Sequence, residues 1–292
     1  MNSATWIERA LNRAVQDGSG EHCPAKLMAA VRYAVFPGGA RIRPKLCLAV
    51  ARACGDESLR CAAAAAAAIE LLHCASLVHD DLPCFDNAIM RRGRPAVHRA
   101  FGEPMAVLTG DALIVMAFES VARVAGVPAR RLQALMLVLA RASGMPSGIV
   151  AGQAWEGEPH VPLLDYQRAK TGALFAAATS LGAIAAGSVG AAWHALGEKI
   201  GEAYQIADDI RDVSESSSAL GKDVGRDAVL GRPNAVHEMG IDAAIRRLED
   251  LMAGALARIP ECVGAADLRA HIMSEAGRLL PTKLARPMRV VA

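Results

Sequence analysis

The chain has 292 residues and a mass of 30.5 kDa, of which 53% are apolar and 21% charged, a composition that supports a large buried core and excludes both wholesale disorder and a disulfide-stapled miniprotein. Its 32 basic and 30 acidic residues leave a formal charge of +2, too weak a net field to attract nucleic acid or an anionic membrane, so any charge-dependent function is local. Seven cysteines, at 23, 47, 54, 61, 74, 84 and 262, show neither a CxxC pair nor a zinc spacing and read as reduced thiols of a cytoplasmic protein.

Helical periodicity runs along nearly the whole chain, and strand-like alternation is absent. The first helix is expected over Thr5 to Val15; the N-terminal segment carries Glu8 and Asp17 and lacks the apolar core of a signal peptide. A second, Lys26 to Val35, stops at Phe36-Pro37-Gly38-Gly39, and Pro44 opens a third that runs to about Ala53. The fourth starts near Glu57, crosses the alanine run Ala62 to Ala68 and continues through Leu71, Leu72 and Leu77 to Asp81, where Pro83 ends it. Further helices are expected over 104–123, 129–142, 164–186, 191–213, 241–258 and 266–278. Thr171 to Gly197 holds no charged residue and is long enough to span a bilayer. Ala, Gly and Ser dominate it, however, and Gly187 and Gly190 divide it, so two buried helices about a break are expected and no transmembrane segment. With no linker and no internal repeat, residues 1–292 read as one all-α domain of antiparallel helices.

The informative residues are acids that follow strongly apolar sequence. His79-Asp80-Asp81-Leu82-Pro83-Cys84-Phe85-Asp86 closes the fourth helix with two adjacent carboxylates and a third just beyond the proline. A second group, Gln205-Ile206-Ala207-Asp208-Asp209-Ile210-Arg211-Asp212, lies on a later helix, where Asp208 and Asp212 are about 40° apart around the axis and share a face. Like charges at that spacing repel, and a divalent cation is the simplest compensation. Hard oxygen ligands suit magnesium, whose coordination is commonly completed by substrate phosphate, so two such groups imply a polyphosphate between them. Basic residues agree: Arg91-Arg92-Gly93-Arg94 follows the first group, Arg41 and Arg43 follow Gly38-Gly39, Lys170 opens the uncharged stretch and Lys222 follows the second group. His73 lies seven residues before Asp80, two turns up the same face. His73 and His79 are about 240° apart and do not form a zinc pair.

These residues resemble the trans-isoprenyl diphosphate synthase family from roughly Leu27 to Ala235. The resemblance rests on FPGGARIRP at 36–44, DDLPCFD at 80–86, RRGRP at 91–95, KTG at 170–172, QIADDIRD at 205–212 and GKDVGRD at 221–227, in that order. GGARIRP, HCASLVHDDLP and LGRPNAV are most similar to the bacterial carotenoid-pathway members that make the geranylgeranyl chain. The resemblance implies the isoprenoid synthase fold, a helical bundle around a central cavity, and a homodimer. It also implies condensation of isopentenyl diphosphate with an allylic diphosphate through magnesium-dependent ionisation. Three magnesium ions would be held by Asp80, Asp81 and Asp86 on one side and by Asp208 and Asp212 on the other. Arg91, Lys170, Thr171, Gln205 and Lys222 match residues around the allylic diphosphate, and Arg43, His73 and Arg92 match residues that hold isopentenyl diphosphate.

Product length is expected to follow the depth of an apolar pocket beneath the first aspartates. The position five before Asp80, aromatic in bacterial farnesyl synthases, is Ala75, with Ser76 beside it; both are small, which implies a C20 product with the floor set deeper, by Leu71, Leu72 or Phe118. Two departures stand out: Ala40 replaces the usual lysine of the first motif, and Ala88 and Ile89 replace acids before RRG. The alternatives are a synthase of farnesyl or another length, a non-catalytic subunit of a heteromeric synthase, and a terpene cyclase; the second aspartate group argues against the cyclase.

Overall fold

A computed structural model of the chain describes residues 3–36, 38–160, 162–214 and 234–277. Helices α1 (Ser3–Ser19), α2 (Ala25–Val35), α3 (Ile42–Ala53) and α4 (Arg60–Asp80) come first, followed by a two-stranded hairpin, β1 (Met90–Arg91) and β2 (Arg94–Pro95). Next are α5 (Val97–Phe101), α6 (Glu103–Ala122), α7 (Ala129–Ser143), α8 (Ile149–Ala154) and α9 (Leu163–Gln167). A π-helical turn, Arg168–Gly172, leads into α10 (Ala173–Ala185), and α11 (Ala191–Ser214), α12 (Ala235–Met239), α13 (Ile241–Leu256) and α14 (Ala265–Ala276) follow among the described residues. The all-helical expectation holds, apart from the hairpin.

α4 packs along α1, α3, α6 and α10, and α10 packs along α3, α4, α7 and α11. Close approach follows from side-chain size: Ala62 and Ala65 to Ala68 are fully buried on α4, and every residue from Leu174 to Ala185 is buried on α10. One core gathers α1, α2, α4, α6 and α7 around Leu71, Leu72, Leu113 and Leu139; the other gathers α3, α11, α13 and α14 around Phe175, Trp193 and Leu248. Each fully buried leucine contributes about 1.5–3 kcal/mol. Between the cores a cavity is bounded by α4 on one side and α11 on the other.

The expected helix over 164–186 is resolved into α9, the π turn and α10. The uncharged segment breaks after Ala185, where Gly187 takes φ +89°, and resumes at Ala191. Helices α5, α8 and α12, of five or six residues, are too short for periodicity to reveal. Arg60–Asp80 and Glu103–Ala122 are long and apolar enough to cross a membrane; in the first, 78% of the most apolar window is buried within the protein, in the second 39%.

Candidate active site

The cavity has a volume of about 720 Å³ and receives side chains from both acidic groups. On one wall Asp80 ends α4, and the chain then folds back, the Asp86 amide donating to the Asp80 carbonyl at 2.9 Å and the Ala88 amide to that of Asp81 at 3.1 Å. This turn returns Asp86 to Asp80. A third acid joins them: Glu156, from the single 3₁₀ turn after α8, offers a carboxylate oxygen within 4.8 Å of theirs. Lys170 Nζ lies between, 3.3 Å from Asp80 Oδ1 and in contact with Glu156 Oε1, while Tyr166 Oη donates to Glu156 at 2.7 Å and Gln153 Nε2 at 3.1 Å. Burial pushes the Asp80 carboxyl above its ordinary range, and Lys170 offsets only part of that.

The π turn explains how Lys170 reaches this point. A π turn carries one residue more than α-helical winding, which re-aims the side chains within it. It is held from behind at Gly152, where a Cβ would strike the backbone of Lys170, so α8 can lie against the turn only with hydrogen at that position.

Asp81, expected beside Asp80, is not among the cavity-lining residues. It is 2% exposed and accepts from Arg91 Nε at 3.0 and 3.1 Å and from Arg91 Nη2. Arg91 does line the cavity, so Asp81 steers a cation into it. Adjacent helical residues are about 100° apart, so the two acids of a doublet cannot face the same way.

The other wall repeats this division. Asp208 and Asp212 line the cavity, with Arg211 Nη2 donating to Asp208 at 3.1 Å. Asp209, 2% exposed, accepts from the Ala235 amide at 2.8 Å and from Gln205 Nε2 at 2.9 Å. The Gln205 carbonyl in turn accepts from Thr171 at 2.7 Å, which ties α11 to the π turn.

Arg43, His73 and Arg92 also reach the cavity. The Arg43 guanidinium lies 4.5 Å over the Phe175 ring and 5.6 Å over Tyr204, and its buried Nε has no hydrogen-bond partner among the described residues. A buried donor left open beside a cavity is the counterpart of an anion acceptor. Burial and the neighbouring arginines press the His73 imidazole well below its ordinary pKa, so it is neutral at neutral pH. Arg92 and Gly93 occupy the two-residue turn between β1 and β2 with φ of 53° and 75°, the positive values that a type I′ hairpin requires. The remaining lining is largely apolar and includes Ala75, Leu77, Ile114, Ile149 and Leu174, with Ser76 and Ser143. Leu71 and Leu72 are wholly buried in the core and do not form the cavity wall; Phe118 packs against the core and does not line it either. Lys222 lies outside the described residues.

The chain is similar to known proteins along most of its length. The polyprenyl synthetase family profile matches residues 24–265. Geranylgeranyl diphosphate synthase of Cereibacter sphaeroides is 53% identical over 96% of this chain and 97% of its own, and that of Rhodobacter capsulatus is 51% identical over 94% and 95%. Among solved structures, geranyltransferase from Helicobacter pylori, complexed with magnesium and isoprenyl diphosphate, superposes with a TM-score of 0.77 at 28% identity over 94% of this chain and 97% of that one. An FPP/GFPP synthase from Zymomonas mobilis gives a TM-score of 0.79 at 32% identity over 94% and 99%. The chain belongs to the polyprenyl synthetase family.

Proposed function

We propose that the protein is a trans-prenyltransferase that joins isopentenyl diphosphate to an allylic diphosphate of five to fifteen carbons and makes geranylgeranyl diphosphate, the C20 product. The observation that carries this reading is that Asp80 and Asp86 from one wall and Asp208 and Asp212 from the other open onto a single cavity, with cations at its rim and apolar side chains over much of the rest. Carboxylate oxygens gathered this closely fit a hard divalent cation, and the Lys170 ammonium lies among them. Asp80, Asp86, Asp208 and Asp212 would hold magnesium, three ions in this reading, which would supply charge neutralisation and Lewis acidity to a departing diphosphate.

The protein's own groups do the rest. Arg91, steered by Asp81, and Lys170 bind the allylic diphosphate, Lys170 exchanging its present carboxylate partners for phosphate oxygens. Thr171 and Gln205 position that ester on the π turn and α11, and Lys222 is assigned to the same diphosphate. Arg43, His73 and Arg92 bind isopentenyl diphosphate beside it. Apolar walls exclude water from the allylic cation, and the small Ala75 and Ser76 leave depth for the growing chain.

We assign residues 1–292 to one domain. Exposed apolar residues Leu108 and Val115 on α6 and Leu137 on α7 suit burial in a homodimer, and seven free thiols suit a reducing cytoplasm. A carotenoid-type pathway is the natural user of the product. The test is to incubate the purified chain with isopentenyl diphosphate, C5, C10 or C15 primers and magnesium, and to size the released alcohols. C20 from every primer, lost on chelation, is the expected result. No condensation by the homomeric protein would make it a non-catalytic subunit.

A further inference from the structure

Glu70 is a lone acid in the most apolar stretch of α4, one turn before His73, and is 2% exposed. Its Oε1 lies 2.6 Å from Arg41 Nη1 and 3.7 Å from Arg92 Nη2. Arg41 is fully engaged by the protein, with Nε on Glu8 at 2.9 Å and Nη2 on the Val35 carbonyl at 2.8 Å, and it does not line the cavity. Arg92 does line it. Both arginines are held at φ 53°, a left-handed conformation that a long side chain rarely adopts, and both converge on one carboxylate. The glycine pair before α3 makes room for them: a Cβ at Gly38 would strike the Arg41 guanidinium, and one at Gly39 would come within 3.3 Å of Arg92 Nε. Arg43 and the neutral His73 complete the rim.

The Arg41 and Arg92 guanidinium groups that share Glu70 repel one another and would splay apart without that anion between them. We propose that Glu70 is a positioning residue for the isopentenyl diphosphate site: from behind the cavity wall it anchors Arg41 and pulls Arg92 into place beside Arg43, so that the diphosphate meets a preset pair of guanidinium groups. Glu70 touches no substrate. Its effect falls on one of the two diphosphates, because the allylic ester is held by Arg91 and Lys170, which answer to Asp81 and Glu156.

The inference rests on the proposed function, and binding measured without turnover separates the two. Calorimetry on the full chain compares isopentenyl diphosphate with a non-reactive farnesyl diphosphate analogue plus magnesium. Glu70→Gln is expected to weaken isopentenyl diphosphate at least tenfold and to leave the analogue within about twofold, with KM for isopentenyl diphosphate rising in step and kcat at saturation nearly unchanged. Glu70→Asp, which keeps the charge on a shorter arm, recovers part of the loss. Equal weakening of both ligands, or of neither, overturns the role. Should Glu70→Gln fail to fold, Glu70→Asp alone carries the test, a selective loss supporting the role and a uniform one overturning it. Wild-type protein that binds no isopentenyl diphosphate overturns the functional reading itself.

Discussion

The two aspartate doublets are built alike and finished differently. In each, one acid faces the cavity and its neighbour faces the scaffold: Asp80 and Asp81 at the end of α4, Asp208 and Asp209 within α11. Asp81 pairs with Arg91, a cation that itself enters the cavity, so the first wall couples its structural acid to the proposed ligand site. Asp209 instead caps the first amide of α12 and fixes Gln205, so the second wall couples its structural acid to the fold that follows. Identical residue pairs therefore serve opposite ends, and the partner decides which.

The comparison breaks most visibly at the acids that face inward. Asp80→Ala and Asp208→Ala should each lower kcat by about 10²–10³-fold, the scale of losing one preset electrostatic contact to a transition state, while the melting temperature changes little, the lost ion pair with Lys170 or Arg211 being offset by removal of a like-charge neighbour. Steady-state kinetics and calorimetric melting check both. A variant that keeps its rate would remove that wall from the chemistry.

Product length should depend on the first wall. Ala75 lies on α4 and lines the cavity at 1% exposure, so Ala75→Phe fills space that a chain must otherwise occupy. The expected outcome is a shift of the main product from C20 to C15 in the alcohol-sizing assay, with the overall rate within an order of magnitude. Unchanged product length would show that Ala75 does not limit the pocket.

Next in size is the contrast between the outward-facing acids. Asp209→Ala leaves the Ala235 amide unpaired and Gln205 unheld, which costs about 1–3 kcal/mol and should appear as a clear fall in denaturant midpoint. Asp81→Asn retains a hydrogen-bonding group for Arg91, so its principal effect should be a higher KM for the allylic diphosphate. Equal stability losses in the two variants would erase the distinction between the walls.

Much of this was legible in the chain. Alanine and leucine runs at helical spacing announce an all-helical protein, and paired acids after apolar sequence announce the site. Which acid of each doublet turns inward was not legible, since that depends on Arg91 and on the amide of Ala235, partners brought by folding. Glu156 was missed because it arrives on a short 3₁₀ turn far along the chain from Asp86, with no spacing to connect them. Glu70 did leave a signal, a single charge between Ala62 and Leu72, which periodicity treats as noise and burial turns into a question.

The smallest predicted effect separates the walls by pH. His73 lines the cavity from α4, and burial together with Arg43, Arg92, Arg91 and Arg41 holds its pKa well below 6.5 in the folded protein. The unfolded chain takes up a proton on this residue as pH falls through about 6.5, whereas the folded protein does so only at lower pH. Between those two points the unfolded state binds more protons, so stability falls as pH decreases there and is fully present above about 6.5. His73→Gln removes this contribution, and its melting temperature should fall less steeply than that of the wild type between pH 7 and pH 5. The second wall brings no histidine to the cavity among the described residues, so Asp209→Ala, although less stable throughout, should keep the wild-type slope over the same interval. Parallel curves for wild type and His73→Gln would mean that the imidazole takes up its proton in the folded protein as readily as in the unfolded chain.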